Sequence, residues 1–263
     1  MKRRHFLILA AVPAWAQSKE ERGKRIVEEA IEALGGAKFR EMRDRTEAGR
    51  AYSFYNSRLA GLARATIYTR YLTPPVPTPP GKLFVRERQS FGKDQDYHVL
   101  FDEEKAWSIT FRGAAQMPDA TLLRYRETTT RNLFYTLRQR MGEKGLIFEH
   151  ETSEVFDNQP IDVVTITDSE NNVVSASFNR STKLPIRQVS FRRDPTTRER
   201  MEEVTIFSKY RDVGGVQWPY SITRHRNGEK IYEIFSESVT INSDLADQLF
   251  TLPANMKILK PLK

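Results

Sequence analysis

The sequence predicts an α+β protein in which helices cover the concave face of a large, curved antiparallel sheet. After Gly145 the chain alternates between short segments rich in β-branched and aromatic residues and turn residues at hairpin spacing. Strand-like segments also precede the helical segment, and no regular β-α-β alternation occurs. A long antiparallel sheet twists and coils. A helix laid across its concave face would therefore enclose a cavity.

Residues 1–16 have the order of a cleavable secretory signal. Positions 2–4 are basic, positions 6–12 form a short apolar run, and Ala14-Trp15-Ala16 provides small residues at the expected cleavage site. The apolar run is too short to span a bilayer. We expect residues 17–263 to form a single domain, periplasmic or otherwise exported. Because the chain has no cysteine, neither a disulfide nor a lipid anchor on an N-terminal cysteine is expected.

Composition limits the kinds of partner. The chain has 42 basic and 34 acidic residues, a net charge of +8. Without the three basic residues of the signal, 39 basic and 34 acidic residues remain, or +5, with the signs interspersed. The arginine-rich stretch from Arg187 to Arg200 suits a solvated hairpin loop or weak contact with an anionic surface. We expect no nucleic-acid partner and at most peripheral membrane contact.

Two helical segments are predicted. In the first, apolar residues share one helical face before a stop at Gly35-Gly36. The second extends from Asp119, its predicted N-cap, to Met141. The first half is ambiguous, because Thr128-Thr129-Thr130 is a poor helix-forming run, and a break there would divide the segment into two helices. The apolar face of the first helix consists of Ile26, Val27, Ala30, Ile31 and Leu34.

A proline-rich stretch, residues 73–80, separates two predicted strands. Five of its eight residues are proline, which removes ladder donors and fixes φ, so the stretch is predicted to be an exposed, polyproline-like crossover. Two interpretations stay open. The crossover is either a stiff loop around the edge of the sheet or a docking segment for a partner with an aromatic groove.

The sequence pattern of the last third of the chain predicts an antiparallel meander. Val216, Trp218, Tyr220 and Ile222 place a large apolar side chain at every second position, which predicts that one face of this strand is buried. Asn227-Gly228 is the preferred dipeptide of a type I′ turn. It should join this strand directly to the next.

Several motifs carry a resemblance to a known family. They are TKLPIR at 182–187, YRDVGGVQWP at 210–219, the strand to Ile241-Asn242, and DQLFTLP at 247–253. In order and spacing they are similar to the C-terminal half of the periplasmic lipoprotein-carrier superfamily, which includes LolA, LolB and RseB-like proteins. The chain departs from that pattern in being longer than LolA, in its proline-rich crossover, and in lacking the anchoring cysteine of LolB.

The resemblance implies an unclosed β-barrel whose helices enclose an apolar cavity for acyl chains or hydrophobic peptide segments. Such a carrier predicts a dry pocket beneath a mobile helical lid, across the sheet from the helix at 133–141. The alternative is an RseB-like envelope sensor or adaptor that acts through protein contacts. Candidate lining residues, each of which could instead be ordinary core, are Trp107, Phe111, Leu133, Phe134, Leu137, Phe178 and Trp218.

Catalytic motifs are sparse. The four histidines are isolated, and no metal-binding spacing, P-loop or dinucleotide fingerprint occurs. Ser90-Phe91-Gly92-Lys93 matches a serine-lysine pattern, but it lies in a strand-like segment without the companion motifs. We therefore expect a binding protein rather than an enzyme, with no metal and no cofactor.

Overall fold

The computed structural model describes residues 17–194 and 197–262, so the predicted signal at 1–16 lies outside the described residues. Within the described part, thirteen strands form one antiparallel sheet in the order β6-β5-β4-β3-β2-β1-β13-β12-β11-β10-β9-β8-β7. The two ends of this order do not pair with each other, so the sheet is not closed into a barrel. The predicted class, an α+β protein with an unclosed sheet, is confirmed.

The elements have the following bounds. The strands are β1 (Asp44–Tyr55), β2 (Arg58–Tyr71), β3 (Val85–Phe91), β4 (Tyr97–Phe101), β5 (Ala106–Thr110), β6 (Gly113–Gln116), β7 (Ile147–Phe156), β8 (Gln159–Thr167), β9 (Val173–Asn179), β10 (Pro185–Arg193), β11 (Arg200–Val213), β12 (Val216–Arg226) and β13 (Glu229–Ile241). The helices are α1 (Lys19–Leu34), α2 (Ala37–Arg40), α3 (Asp119–Thr130) and α4 (Leu133–Tyr135), which continues as a π-helical turn (Thr136–Arg140), and a 3₁₀ turn (Asp247–Phe250).

The position of the helices follows from the strand order. Strands β6 and β7 are consecutive in the chain but lie at opposite edges of the sheet. The segment between them, residues 117–146, must therefore cross the whole sheet, and it contains α3, α4 and the π-helical turn. At the centre of the sheet, β1 pairs with β13, a strand distant in sequence, so that Arg45 lies opposite Ile241.

The predicted tight turns are present. Arg226 pairs with Glu229 across Asn227-Gly228, and both turn residues have positive φ, as a type I′ turn requires. Gly214-Gly215 likewise has positive φ at both positions and joins β11 to β12. Because both turns have two residues, they fix the register of the strands that they connect.

Helix α1 buries the face that the sequence predicts. Ser18 and Glu21 form a capping box at its start, and Gly35 ends it with a positive φ. The second helical segment is divided into two helices, but Thr128-Thr129-Thr130 is the last turn of α3 and the break lies after it, at Arg131 and Asn132. The prediction of Asp119 as N-cap is wrong: Asp119 is the first helical residue, and the N-cap position is taken by Pro118.

The sheet buries residues on both faces. The main core lies between the concave face and α1 with α4, and it includes Leu34, Leu133 and Phe178. A smaller cluster beneath α3 joins Leu122 to Val99, Phe101 and Ala106. A third cluster lies on the opposite face of β4–β6, under the C-terminal segment, and it consists of Leu100, Trp107, Ile109 and Ala114 with Leu252 and Met256.

The proline-rich crossover is mostly exposed, as expected, but it is attached at two points. The backbone N–H of Thr78, a buried residue, donates to the Gly142 carbonyl at 3.3 Å. The Gln139 side-chain amide donates to the carbonyls of Leu72 and Phe84, at 2.9 Å and 2.6 Å. These two carbonyls flank the crossover, so the π-helical turn fixes both of its ends.

Candidate functional site

A cavity of about 300 Å³ lies between the concave face and the α3–α4 segment. We call it the central cavity. Its floor is formed by the middle strands, β1–β3 and β11–β13. The main core fills the concavity on one side of it and the Leu122 cluster fills the other. The cavity is thus the unfilled part of the concavity, as a helix lying across a curved sheet leads one to expect.

Most of the lining side chains are apolar or aromatic. On the helical side the cavity is bordered by Tyr125, Phe134 and Tyr135. Phe134 packs its ring edge-on against Phe207 and tilted against Trp218, with centroids 5.0 Å apart in both cases. From the sheet, the apolar lining includes Ile67, Phe91, Phe207, Trp218, Ile222 and Ile234.

One part of the cavity floor carries charge, in contrast to the dry apolar pocket expected from the sequence. Arg45, on β1, donates to the Thr69 hydroxyl at 3.0 Å and lies 3.5 Å from the Glu47 carboxylate. Its guanidinium also stacks over the Trp218 ring at 4.1 Å. Glu47 accepts a further hydrogen bond from Ser236. These buried charges are therefore mutually paired, as burial requires.

Glu87, on β3, also faces the cavity. Burial raises the pKa of its carboxyl, and this outweighs the hydrogen bond from Gln89 at 2.7 Å and the charges of Arg45 and Arg224, which lower it. The surrounding protein therefore leaves the Glu87 carboxyl poorly solvated. A charged group here is less well stabilised than it would be in water.

Among the described residues, three donors in the cavity lining are unsatisfied: two on the floor, and the Tyr125 hydroxyl on the helical side. Within residues 17–194 and 197–262, Arg45 Nε and the Trp218 indole N–H have no hydrogen-bond partner. Both side chains line the central cavity, and the residues are only 8% and 2% exposed. Buried donors of this kind usually have partners. The cavity floor thus combines apolar surface with two free donors.

Helix α3 covers the cavity with few apolar contacts. Leu122 is its one buried residue. The Tyr125 ring stacks on Phe101 with centroids 3.9 Å apart, and burial raises the pKa of the Tyr125 hydroxyl well above its usual value. An ion pair between Arg124 and Glu203 attaches the helix to β11. The helix is therefore held mainly by polar and ring contacts.

The C-terminal end of this helical segment is fixed by one buried arginine. Arg140 donates to Glu143 at 2.6 Å and 2.8 Å, to Asp168 at 2.9 Å, and to the Thr130 carbonyl at 2.6 Å. Burial alone would raise the pKa of Asp168, but the hydrogen bonds from Arg140 and Asn172 hold it below its usual value. Arg140 thus connects the end of α3 to the β8–β9 turn.

The seven residues predicted from the sequence have different positions. Phe134 and Trp218 line the central cavity. Leu133, Leu137 and Phe178 are fully buried in the main core. Trp107 lies on the opposite face of the sheet, under the C-terminal segment, and donates to Asp102 at 3.1 Å. Phe111 lies in the β5–β6 turn with 89% of its surface exposed, so it lies outside the cavity.

Sequence reasoning missed the charged part of the floor. Strand β3 reads Val-Arg-Glu-Arg-Gln from Val85 to Gln89, with polar residues on both faces. Without a difference in polarity between the faces, the pattern cannot show that Glu87 and Gln89 point into the cavity. The available signal is the spacing of Arg45 and Glu47, two residues apart in a predicted strand and therefore on one face, and it is weak.

Other kinds of site are not found among the described residues. No group of three or more His, Asp or Glu side chains in that part of the chain could hold a metal ion. Nor does any helix there have the length and apolarity needed to cross a membrane.

The fold and the cavity together define a class: half-barrel proteins with a cavity between a curved sheet and a crossing helix. No family model and no curated protein matches the sequence. Solved structures are similar, however. A DUF1329 family protein from Desulfovibrio piger has a TM-score of 0.59 at 9% identity, covering 89% of this chain and 98% of that one.

Two further structures have the fold of the predicted family. An outer membrane lipoprotein-sorting protein domain from Vibrio parahaemolyticus has a TM-score of 0.56 at 11% identity, covering 88% of this chain and 97% of that one. A LolA superfamily protein from Nitrosomonas europaea has a TM-score of 0.52 at 11% identity, covering 87% and 97%. These likenesses show the fold, and the predicted resemblance is confirmed at that level.

Proposed function

We propose that the protein is an exported binding protein, not an enzyme, which holds a hydrophobic ligand in the central cavity. The ligand class is a lipid, a free acyl chain or the acyl chains of a lipoprotein. The observation that carries the proposal is the cavity itself, which is lined mainly by aliphatic and aromatic side chains. Burial of each methylene group in such surroundings gains about 0.8 kcal/mol.

Export and partners belong to the same proposal. The signal-like order of residues 1–16 supports export to the periplasm. The structural neighbour from Vibrio parahaemolyticus is described as a lipoprotein-sorting domain, which supports a ligand with acyl chains. Directional transfer would need an envelope protein that binds the ligand more tightly than this chain does.

Displacement of a neutral fluorescent probe tests the proposal. N-phenyl-1-naphthylamine should become more fluorescent on entering the central cavity, and a long-chain alcohol should displace it. Ile222→Trp places a large side chain in the cavity lining and should weaken probe binding about tenfold or more, a loss of about 1.4 kcal/mol or more. Ile222 is half-buried and also packs against the main core, so thermal denaturation is used to check that the variant remains folded.

Val155→Trp is the matched control, since Val155 lies on the edge strand β7 and is 71% exposed. This variant should bind the probe like the unmodified chain. Failure of the unmodified chain to bind the probe, or equal binding by both variants, would contradict the proposal. If the chain instead forms a stable complex with an envelope protein and binds no probe, the adaptor alternative is favoured.

A further inference from the structure

A second cavity adjoins the central cavity and also lies between α3 and the sheet. It has a volume of about 360 Å³ and lies between α3 and strands β10–β13. We call it the arginine cavity. The two cavities have lining residues in common. Because the same side chains border both, the cavities are neighbours with a common wall, formed by Tyr125, Thr128, Asn132, Arg224 and Tyr232.

The arginine cavity has an excess of positive charge. Four arginines line it, Arg124, Arg131, Arg224 and Arg226, whereas its acidic lining residues are Glu127 and Glu203. Glu127 is exposed. The local balance, four positive against two negative charges, is therefore +2.

Glu203 is shared among several cations. The same carboxylate oxygen is paired with Arg124, lies 2.9 Å from Arg192 and lies 3.4 Å from Arg226. Although burial alone would raise the pKa of Glu203, the neighbouring guanidinium groups lower it. One carboxylate cannot neutralise three guanidinium groups. The Nε of Arg226 has no hydrogen-bond partner within the described residues.

Arg224 lies in the common wall and is less well paired. No carboxylate of the described chain lies within 4.0 Å of it, and its guanidinium carbon is 5.6 Å from the Tyr232 ring centroid. Arg224 and Arg226 are two residues apart on β12, so both point to the concave face. Arg224 lies at the boundary between the two cavities, and Arg226 lies next to it in the arginine cavity.

We propose that the two cavities form one site for an anionic amphiphile. Its apolar tail occupies the central cavity, and its headgroup, a carboxylate or a phosphate, contacts Arg224 and Arg226. Guanidinium groups bind both headgroups through paired N–H donors, and such charge-assisted bonds are stronger than neutral ones. This inference rests on the proposed function, since it requires a ligand tail in the central cavity.

The position of the arginine cavity suits a headgroup. Arg226 is the last residue of β12 and pairs with Glu229 across the two-residue turn. The arginine cavity thus lies towards the hairpin end of these strands, whereas the central cavity extends along them to Trp218. An amphiphile in this orientation places its charge near the end of the sheet and its tail at the middle.

Ligands with the same twelve-carbon tail and different headgroups test the inference. Dodecanoate, dodecyl phosphate and dodecanol are each titrated against bound N-phenyl-1-naphthylamine. We expect one or both anions to bind at least about tenfold more tightly than dodecanol, a difference of about 1.4 kcal/mol. The two anionic arms separate a carboxylate headgroup from a phosphate headgroup. The preference should weaken as the salt concentration rises.

Arg226→Gln should reduce the preference for anions severalfold and leave dodecanol binding unchanged. Arg224→Gln changes a side chain that also borders the central cavity, so it is judged by the ratio of anion affinity to dodecanol affinity, which should fall severalfold. Arg58→Gln is the control, because Arg58 is exposed at the β1–β2 turn. Equal binding of all three ligands would overturn this inference and leave the proposed function standing, whereas binding of none would contradict the proposed function. Inorganic phosphate that binds as tightly as dodecyl phosphate would indicate a free-anion site and would also overturn the inference.

Discussion

At the scale of single residues, the central cavity is amphipathic because charged and aromatic side chains lie next to each other on its floor. Trp218 contributes its ring to the cavity and also stacks under the Arg45 guanidinium. Glu87 is poorly solvated, which raises its pKa. These residues make the cavity sensitive to ligand contact and to pH, and each effect can be measured separately.

Trp218 should report ligand binding by its fluorescence. A fatty acid brominated along its chain quenches an indole that it contacts, so this ligand should quench Trp218 in the central cavity. The Trp107→Phe variant should keep this quenching, because Trp107 lies on the opposite face of the sheet. The Trp218→Phe variant should lose it. Quenching that disappears in the Trp107 variant and persists in the Trp218 variant would place the ligand elsewhere.

Glu87→Gln should change the pH dependence of stability. A carboxyl with a raised folded-state pKa favours the native state below its unfolded value, near 4.5, and this contribution is lost as pH rises through the folded-state pKa. At neutral pH the charged form is therefore destabilising. The Gln variant should have a higher free energy of unfolding than the unmodified chain at pH 7, with a smaller difference at pH 4.

Urea denaturation across this pH range measures the effect. Glu237→Gln is a suitable control, because Glu237 is exposed and pairs with Arg50 on the surface. A Glu87→Gln variant that is less stable than the unmodified chain at pH 7 would show that the carboxylate is favourable in the native state.

At the scale of elements, the crossing segment is held by polar contacts at its ends. Asn132 caps α4 by accepting from the Tyr135 N–H at 3.0 Å. The Tyr135 hydroxyl accepts from the Phe84 N–H at 2.8 Å, and burial raises its pKa to about 12. Arg140 holds the carboxyl end of α3. Apolar packing also positions the segment, through Leu122 in α3 and through Leu133, Phe134 and Leu137 in the main core.

Arg140→Met should destabilise the protein by about 3–5 kcal/mol, because it leaves the buried carboxylates of Glu143 and Asp168 without their cation. The loss should be greatest near neutral pH. Asp168 has a depressed folded-state pKa, so the stability that it contributes is present above its unfolded value, near 3.8, and is lost as pH falls through the folded-state pKa.

Thermal and urea denaturation of the variant provide the measurement. Lys144→Met, at an exposed position close to the same turn, should change the free energy of unfolding by less than about 0.5 kcal/mol. If the two variants are equally stable, Arg140 does not fix the crossing segment.

At the scale of the whole molecule, the parts predicted from the sequence are those that local pattern decides. The hairpins at Asn227-Gly228 and Gly214-Gly215 follow from turn chemistry, and the buried face of α1 follows from helical spacing. The pairing of β1 with β13 is non-local, and no local pattern specifies it. The open half-barrel itself was predicted from the order of the C-terminal motifs.

The candidate site was predicted only in part, for a physical reason. Strands β4 and β5 bury residues on both faces, because α3 covers one face and the C-terminal segment covers the other. Periodicity therefore cannot tell that Trp107 faces away from the cavity. Likewise, the polarity of the sequence does not show where β5 ends, so it could not place Phe111 in a turn. Nor does it show which face of β3 points to the cavity, so it could not place Glu87 on the floor.

The central claim is that the central cavity holds a hydrophobic ligand. Native mass spectrometry of the protein after gentle extraction from cells tests it most directly. If the central cavity holds such a ligand, we expect adducts with the masses of lipids or acyl chains. These adducts should persist in the Val155→Trp variant and be lost in the Ile222→Trp variant. Protein that carries no such adduct, and that takes up none when fatty acid is added before the measurement, would contradict the claim.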